Sequence, residues 1–308
     1  MTRYRCSRWA AALASISLLA GPALAKPQPL AAPVLESVEA TPPLHPGLWL
    51  VRDADTTIYL FGTIHMLKPG LNWLNGPVAG ALNGSDTLVT EIVMDEAAEL
   101  SLKQGMIKLA LLPKGQTLRQ LLPPEQRAAY EALLAREGMP PAIFDSYKPW
   151  YPALVLSLLP LMKLGMVPNA GVEERLEQAA AGKPRDGLET VQFQLALFDS
   201  LSREAQLAYL AAVVRDYDRI GLESEKMVDA WGKGDAEAIA AAMNAEMDSP
   251  EVSAALLGNR NKAWARWIEK RLEQPGTVFI AVGAGHLAGP ESVQRQLAAE
   301  GIAAERVQ

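Results

Sequence analysis

Two stretches of this sequence, 221 residues apart, follow the same pattern: a β-rich run that ends in Gly-x-x-His. The first is Phe61-Gly62-Thr63-Ile64-His65 and the second is Val282-Gly283-Ala284-Gly285-His286. Glycine at a strand end lets the backbone turn without a Cβ clash, and leaves room beside it. In open α/β sheets, ligands collect beyond the carboxyl ends of the strands. Each turn can therefore present an imidazole at that edge, provided the two strands lie close in one sheet. This requirement makes the chain ends partners, so neither half should fold alone.

The pattern between the ends is helical. Leu48–Val51 and Thr57–Phe61 read as a hairpin across Asp53-Ala54-Asp55, and Thr87–Ile92 as a third strand. Helical spacing is expected over 96–111, 124–137, 150–164, 171–181, 191–200, 202–220, 224–231, 235–247 and 250–272. Thr277–Val282 is the clearest buried strand. A helix over 289–300 and a short strand within 302–307 close the chain. The fold class is α+β with α/β character: a central mixed sheet built from both chain ends, with a large helical insertion.

The N-terminal segment has the grammar of an export signal. Arg3, Arg5 and Arg8 precede the mostly apolar stretch Trp9–Ala20, and Ala23-Leu24-Ala25 supplies a small-x-small cleavage site. The apolar stretch is short for a membrane span, which needs about 20 residues, and no later segment is long and apolar enough. The expected organisation is a signal peptide over 1–25, a proline-rich lead-in over 26–46 and one domain over 47–308. The expected location is periplasmic or extracellular.

Cleavage would remove three arginines and Cys6, the single cysteine, leaving 26 basic and 35 acidic residues. A cysteine-free chain forms no disulfide, thiolate metal ligand or cysteine nucleophile. The acidic balance, without a basic run, argues against a nucleic-acid partner. A Gly-x-Ser-x-Gly elbow, a His-Glu-x-x-His helix and a P-loop are all missing from the sequence.

Neutral imidazole is the commonest metal-ligating side chain. Two histidines and a carboxylate suit a first-row divalent ion with positions left for water and substrate. Glu91 is the carboxylate of choice. It ends the third strand, where a β-α-β step returns the chain to the edge of His65. The candidate metal ligands are therefore His65, Glu91 and His286. His45, set between prolines, reads as a linker residue.

The ordered set Tyr59–His65, Trp73-Leu74, Thr87–Glu91, Lys148-Pro149-Trp150, Leu188-Glu189-Thr190, Arg260-Asn261 and Val282–Pro290 resembles the TraB/GumN family, over about residues 47–308. That family includes the Tiki metalloproteases, and its wider superfamily resembles erythromycin esterase and the haem-binding ChaN proteins. The resemblance implies a metal-dependent hydrolase, most of all a peptidase, using a divalent ion (Mn, Co, Fe or Zn) on a peptide or protein substrate. It implies paired Gly-x-x-His motifs and a glutamate as the metal site. Glu91 is then ligand or general base, and Glu189 a base or an orienter of a histidine. Arg260 would bind a substrate carboxylate or an oxyanion. The alternative is a non-catalytic peptide- or haem-binding protein on the same scaffold. Where the family often carries an acidic residue just before the Arg-Asn pair, this chain has Asn259. Lys148-Pro149-Trp150 reads as a packing corner, and Trp264 with Trp267 as core or groove lining.

Overall fold

The computed structural model describes residues 42–244 and 250–308. The expected signal peptide and most of the lead-in lie outside the described residues. The end of the lead-in is tied to the body rather than loose. Leu44 N–H donates to the Asn72 carbonyl at 2.8 Å, and His45 N–H to the Gly232 carbonyl at 2.7 Å. The His45 residue itself stays exposed.

Six strands form one sheet: β1 (Leu48–Arg52), β2 (Thr56–Thr63), β3 (Thr87–Thr90), β4 (Arg185–Gly187), β5 (Gly276–Gly283) and β6 (Glu305–Arg306). Their spatial order is β4-β3-β5-β2-β1-β6. The first hairpin forms as expected, because the Asp53 carboxylate accepts from Asp55 and Thr56 N–H at 3.1 and 2.8 Å and fixes the turn. β5, from the far end of the chain, inserts between β2 and β3 and runs parallel to both. β4 continues the parallel block and forms one edge, while β1 pairs antiparallel with both β2 and β6, and β6 forms the other edge.

β5 is hydrophobic on both faces because helices cover both. Val278, Ile280 and Val282 pack with Trp264, Ile268 and Leu297 on one side. Phe279 and Ala281 pack with Phe61, Trp73, Leu82 and Trp231 on the other. A separate core lies within the helical insertion, around Leu134, Trp150, Leu156, Leu210 and Val213.

The helices are α1 (Gly76–Gly84), α2 (Glu96–Ala110), α3 (Leu118–Leu121), α4 (Pro124–Arg136), α5 (Trp150–Lys163), α6 (Val172–Ala179), α7 (Val191–Asp199), α8 (Arg203–Gly232), α9 (Ala236–Asn244), α10 (Pro250–Ser253), α11 (Asn259–Leu272) and α12 (Val293–Ala299). The mixed sheet and helical insertion match the expected class. Besides the short helices α1 and α3, which the sequence reading did not list, three local features differ from it.

The two helices expected over 202–220 and 224–231 are one 30-residue helix, α8. Gly221 does not break it. A Cβ there would meet Leu164 Cδ1 at 2.8 Å, so the glycine serves close packing against the end of α5. Strand β4 lies inside the insertion and is only three residues long, too short to show a period. Finally, a π-helical turn over Ala254–Gly258 joins α10 to α11. Such turns cost regular hydrogen bonding and are frequent at functional sites.

Candidate active site

The four parallel strands all point their carboxyl ends to one edge, and each is followed by a candidate residue. In spatial order these are Glu189 after β4, Glu91 after β3, His286 after β5 and His65 after β2. The sheet thus converts four distant sequence positions into one row. Arg260 comes down onto the row from α11.

The two glycine turns are packed against each other. A Cβ on Gly62 would lie 3.0 Å from Ala284 Cα, so any side chain there would push the two turns apart by a few tenths of an ångström. The Gly62 carbonyl accepts from Trp231 Nε1 at 2.8 Å, which anchors the first turn to α8. Gly283 N–H donates to Glu91 Oε1 at 2.8 Å, which anchors the second turn to β3.

Arg260 organises the middle of the row. Its side chain is 1% exposed. Nε donates to Glu189 Oε1 at 2.8 Å, and Nη2 donates to Glu189 Oε2 at 2.8 Å and Glu91 Oε2 at 2.6 Å. Nη1 donates to the Leu256 carbonyl, inside the π-helical turn, at 3.2 Å and approaches His286 Nε2 at 3.1 Å. The guanidinium also lies 4.8 Å from the Trp264 ring centre. Gln194, from α7, donates Nε2 to both Glu91 and Glu189, at 2.9 and 3.0 Å. Two carboxylates therefore share one cation in a desolvated setting. Burial pushes the Glu91 carboxyl up, against the opposing pull of Arg260.

His286 is fully buried, with its ring 4.3 Å from that of Trp264. Asn261 Oδ1 lies 2.5 Å from Nδ1. The amide's orientation is fixed by Asn261 Nδ2, which donates to the Glu291 carbonyl at 2.7 Å. Nδ1 must then carry the proton, and the Nε2 lone pair faces Arg260. Burial first, then the Arg260 and His65 charges, hold this imidazole well below its usual range.

His65 is wired differently. Its Nδ1 lies 2.5 Å from Glu173 Oε1, on the first turn of α6. Its Nε2 is buried and has no hydrogen-bond partner. Burial alone would lower this imidazole, but the Glu173 charge outweighs it and the group sits above its usual value. Glu91 adds to that rise, so the two groups feel each other across the row.

The structure brings all five candidate residues to one edge and joins Arg260, Glu91, Glu189 and His286 in one bonded network. The sequence reading missed Glu173, Gln194 and the bonding of Asn261. Lys148-Pro149-Trp150 is a packing corner. Lys148 Nζ pairs with Asp199 at 2.5 Å, and Trp150 stacks on Phe198, tying α5 to α7.

The donors that a divalent ion needs are unevenly available along the row. The orphaned Nε2 of His65 and the carboxylate of Glu91, whose Oε1 accepts a single N–H at 2.8 Å, are suitable donors. His286 Nε2 instead meets Arg260 Nη1, so its lone pair is engaged as the side chains stand. Among the described residues, no three His, Cys, Asp or Glu side chains converge as a ready metal cage.

A mostly parallel sheet with a charged, histidine-bearing cluster at its carboxyl edge defines a class of α/β site proteins. Residues 47–306 match the TraB/PrgY/gumN family, and the chain belongs to it. It is similar to the uncharacterized protein YbaP of Escherichia coli (strain K12), 25% identical over 82% of this chain and 92% of that protein. An uncharacterized protein of Treponema pallidum (strain Nichols) is 23% identical over 80% of this chain and 78% of its own length. No solved structure matches the chain.

Proposed function

We propose that this protein is a metal-dependent hydrolase acting on peptide bonds. One observation carries the reading: His65 Nε2 is buried and unpartnered, and its ring feels the Glu91 charge, in a row whose carboxylates outnumber its one guanidinium. A net negative, desolvated cluster with a free imidazole lone pair is suited to a cation. His65 and Glu91 are the residues that would hold it, with His286 added only when Arg260 Nη1 withdraws. A bound Mn, Co, Fe or Zn ion would polarise a scissile carbonyl and lower the pKa of its water.

The chain's own residues divide the remaining work. Glu189 has both oxygens taken by the Arg260 fork, so it orients the guanidinium. Glu91, raised by burial, is the better base when it is not a ligand. Arg260 supplies buried positive charge that would favour a developing oxyanion. The peptide substrate is the class that the family resemblance favours. Cleavage after Ala25 would put the reaction in the periplasm or outside the cell. Among the described residues no helix is long and apolar enough to cross a membrane.

The test is calorimetric titration of chelator-treated protein with Mn, Co and Zn, combined with turnover of a peptide library. Binding that falls by orders of magnitude in His65→Ala, with cleavage lost in parallel, is the expected result. A wild-type protein that binds none of these ions and cleaves no peptide overturns the reading.

A further inference from the structure

A cleft lies between α4 and α8 in the helical insertion. Its volume is about 790 Å³, and none of its lining residues belongs to the row at the sheet edge. We infer that this cleft binds a small neutral amphipathic molecule, with an apolar body and a head group that both donates and accepts a hydrogen bond, a hydroxyl or an amide. The inference is independent of the hydrolase reading.

The sequence makes the hollow by placing small side chains where the two helices face each other. α4 contributes Ala129 and Ala132, and α8 contributes Ala211. Arg136 on α4 pairs with Asp218 on α8 at 2.8 Å and bridges the helices. Leu122, Leu133, Leu210 and Val214 complete the apolar lining. Small-molecule sites take this form, a concave and mostly apolar surface of about 300–1,000 Å³ with a few placed polar groups.

Two of the polar groups here are unmet. The Tyr130 hydroxyl and the oxygen end of the Gln126 amide are buried and have no hydrogen-bond partner. Tyr130 as a whole is 1% exposed. The two residues stand at i and i+4 on α4, hence on one face, and both line the cleft. A buried hydroxyl or amide without a partner is destabilising, so a ligand that supplies the partner relieves that penalty on binding. Burial pushes the Tyr130 hydroxyl up, so it keeps its proton and can donate it.

The charges around the cleft favour a neutral ligand. Arg136 is taken by Asp218, and Arg215 by Asp216 at 2.7 Å, so both guanidinium groups are already paired. Glu125 is exposed to water, where a cationic ligand would gain little from it.

The test uses the full-length protein with 13C-labelled Leu and Val methyl groups, titrated with para-butylphenol. The Leu122, Leu133, Leu210 and Val214 signals should shift together and saturate. Para-butylanisole keeps the oxygen but cannot donate, and should bind about 10-fold more weakly, the worth of one hydrogen bond. Para-butylbenzoate, an anion, should bind more weakly than the phenol as well. Tyr130→Phe should weaken the phenol by a similar factor without loss of stability, because the hydroxyl it removes has no partner. Ala132→Trp, at an exposed position, should fill the cleft and abolish the shifts, with the remaining methyl signals showing that the variant is folded. Absence of saturable shifts at these methyl groups in wild type overturns the inference. So does binding that ignores the head group, with phenol, anisole and Tyr130→Phe all alike, because the cleft is then only an apolar surface. Either failure leaves the metal titration of the hydrolase reading unaffected.

Discussion

The turns ending in His65 and His286 share a sequence pattern, follow adjacent parallel strands and touch through Gly62 and Ala284. They nevertheless hold their imidazoles in opposite ways. His286 is sealed, with a neutral amide on one nitrogen and a guanidinium on the other. His65 has a carboxylate on one nitrogen and nothing on the other, and its side chain remains 13% exposed. The backbone pattern therefore specifies only where an imidazole stands. What the imidazole can do is decided by the helix that packs against it: α11 brings Asn261 and Arg260, and α6 brings Glu173.

The sharpest way to break the comparison is at Arg260, which meets His286 Nε2 directly and holds Glu91 and Glu189. Replacing Arg260 by Met leaves Glu91 and Glu189 buried without a cation. Removing one partner of such a network costs about 3–5 kcal/mol. Denaturant unfolding should show a loss of that size, with the loss shrinking as pH falls and the carboxylates take up protons. A loss under about 1 kcal/mol would mean that the network relaxes into water, and that the middle of the row is open.

A smaller effect separates the histidines themselves. His286→Ala removes a ring in contact with Trp264 and orphans the Asn261 oxygen, and should cost about 2–4 kcal/mol. His65→Ala creates no sealed cavity, and Glu173, 19% exposed at its side chain, can rehydrate. Its cost should stay near or below about 1 kcal/mol, the ordinary range for partly exposed sites. Equal losses in the two variants would contradict the division into a sealed and an available imidazole.

The sequence reveals one half of this division better than the other. His65, Glu91 and His286 were readable because each stands at the end of a strand with β-rich patterning, whereas Glu189 and Arg260 entered only through the family resemblance. Period-2 patterning and strand-end glycines are local signals, and they found most of the sheet. Glu173 and Gln194 arrive on helices whose amphipathic pattern says which face is buried but not which residue it meets. Gly171 was the available clue, a glycine just before a helix where a capping side chain would be favoured, but its reason is the His65 carbonyl, visible only in three dimensions. The join of two expected helices into α8 has the same origin: Gly221 looks like a break until Leu164 is placed against it.

The smallest expected effect is the pH dependence of stability, because the two histidines pull it in opposite directions. An unfolded histidine takes its proton near 6.5, the reference value from which both rings depart. His286 refuses that proton when folded, so acidification through 6.5 favours the unfolded chain and stability falls. His65 takes its proton above 6.5 when folded, so acidification first favours the native chain. Its contribution is complete below 6.5 and is lost as pH rises through the folded value. In the wild-type protein these slopes offset each other. His65→Gln should therefore unmask a steeper loss of stability on going from neutral pH toward about 5.5 (near enough to 6.5 for histidine to dominate). His286→Gln should unmask a shallower loss, or a gain, over the same interval. Glu91, whose raised carboxyl also titrates from above its usual range, is present in all three proteins and enters the comparison mainly as a shared background. Denaturant melts of the three proteins at matched pH values supply the slopes. If both variants shift the slope in the same direction, the opposite wiring of the two rings is wrong, and the shared sequence pattern would then mean shared chemistry after all.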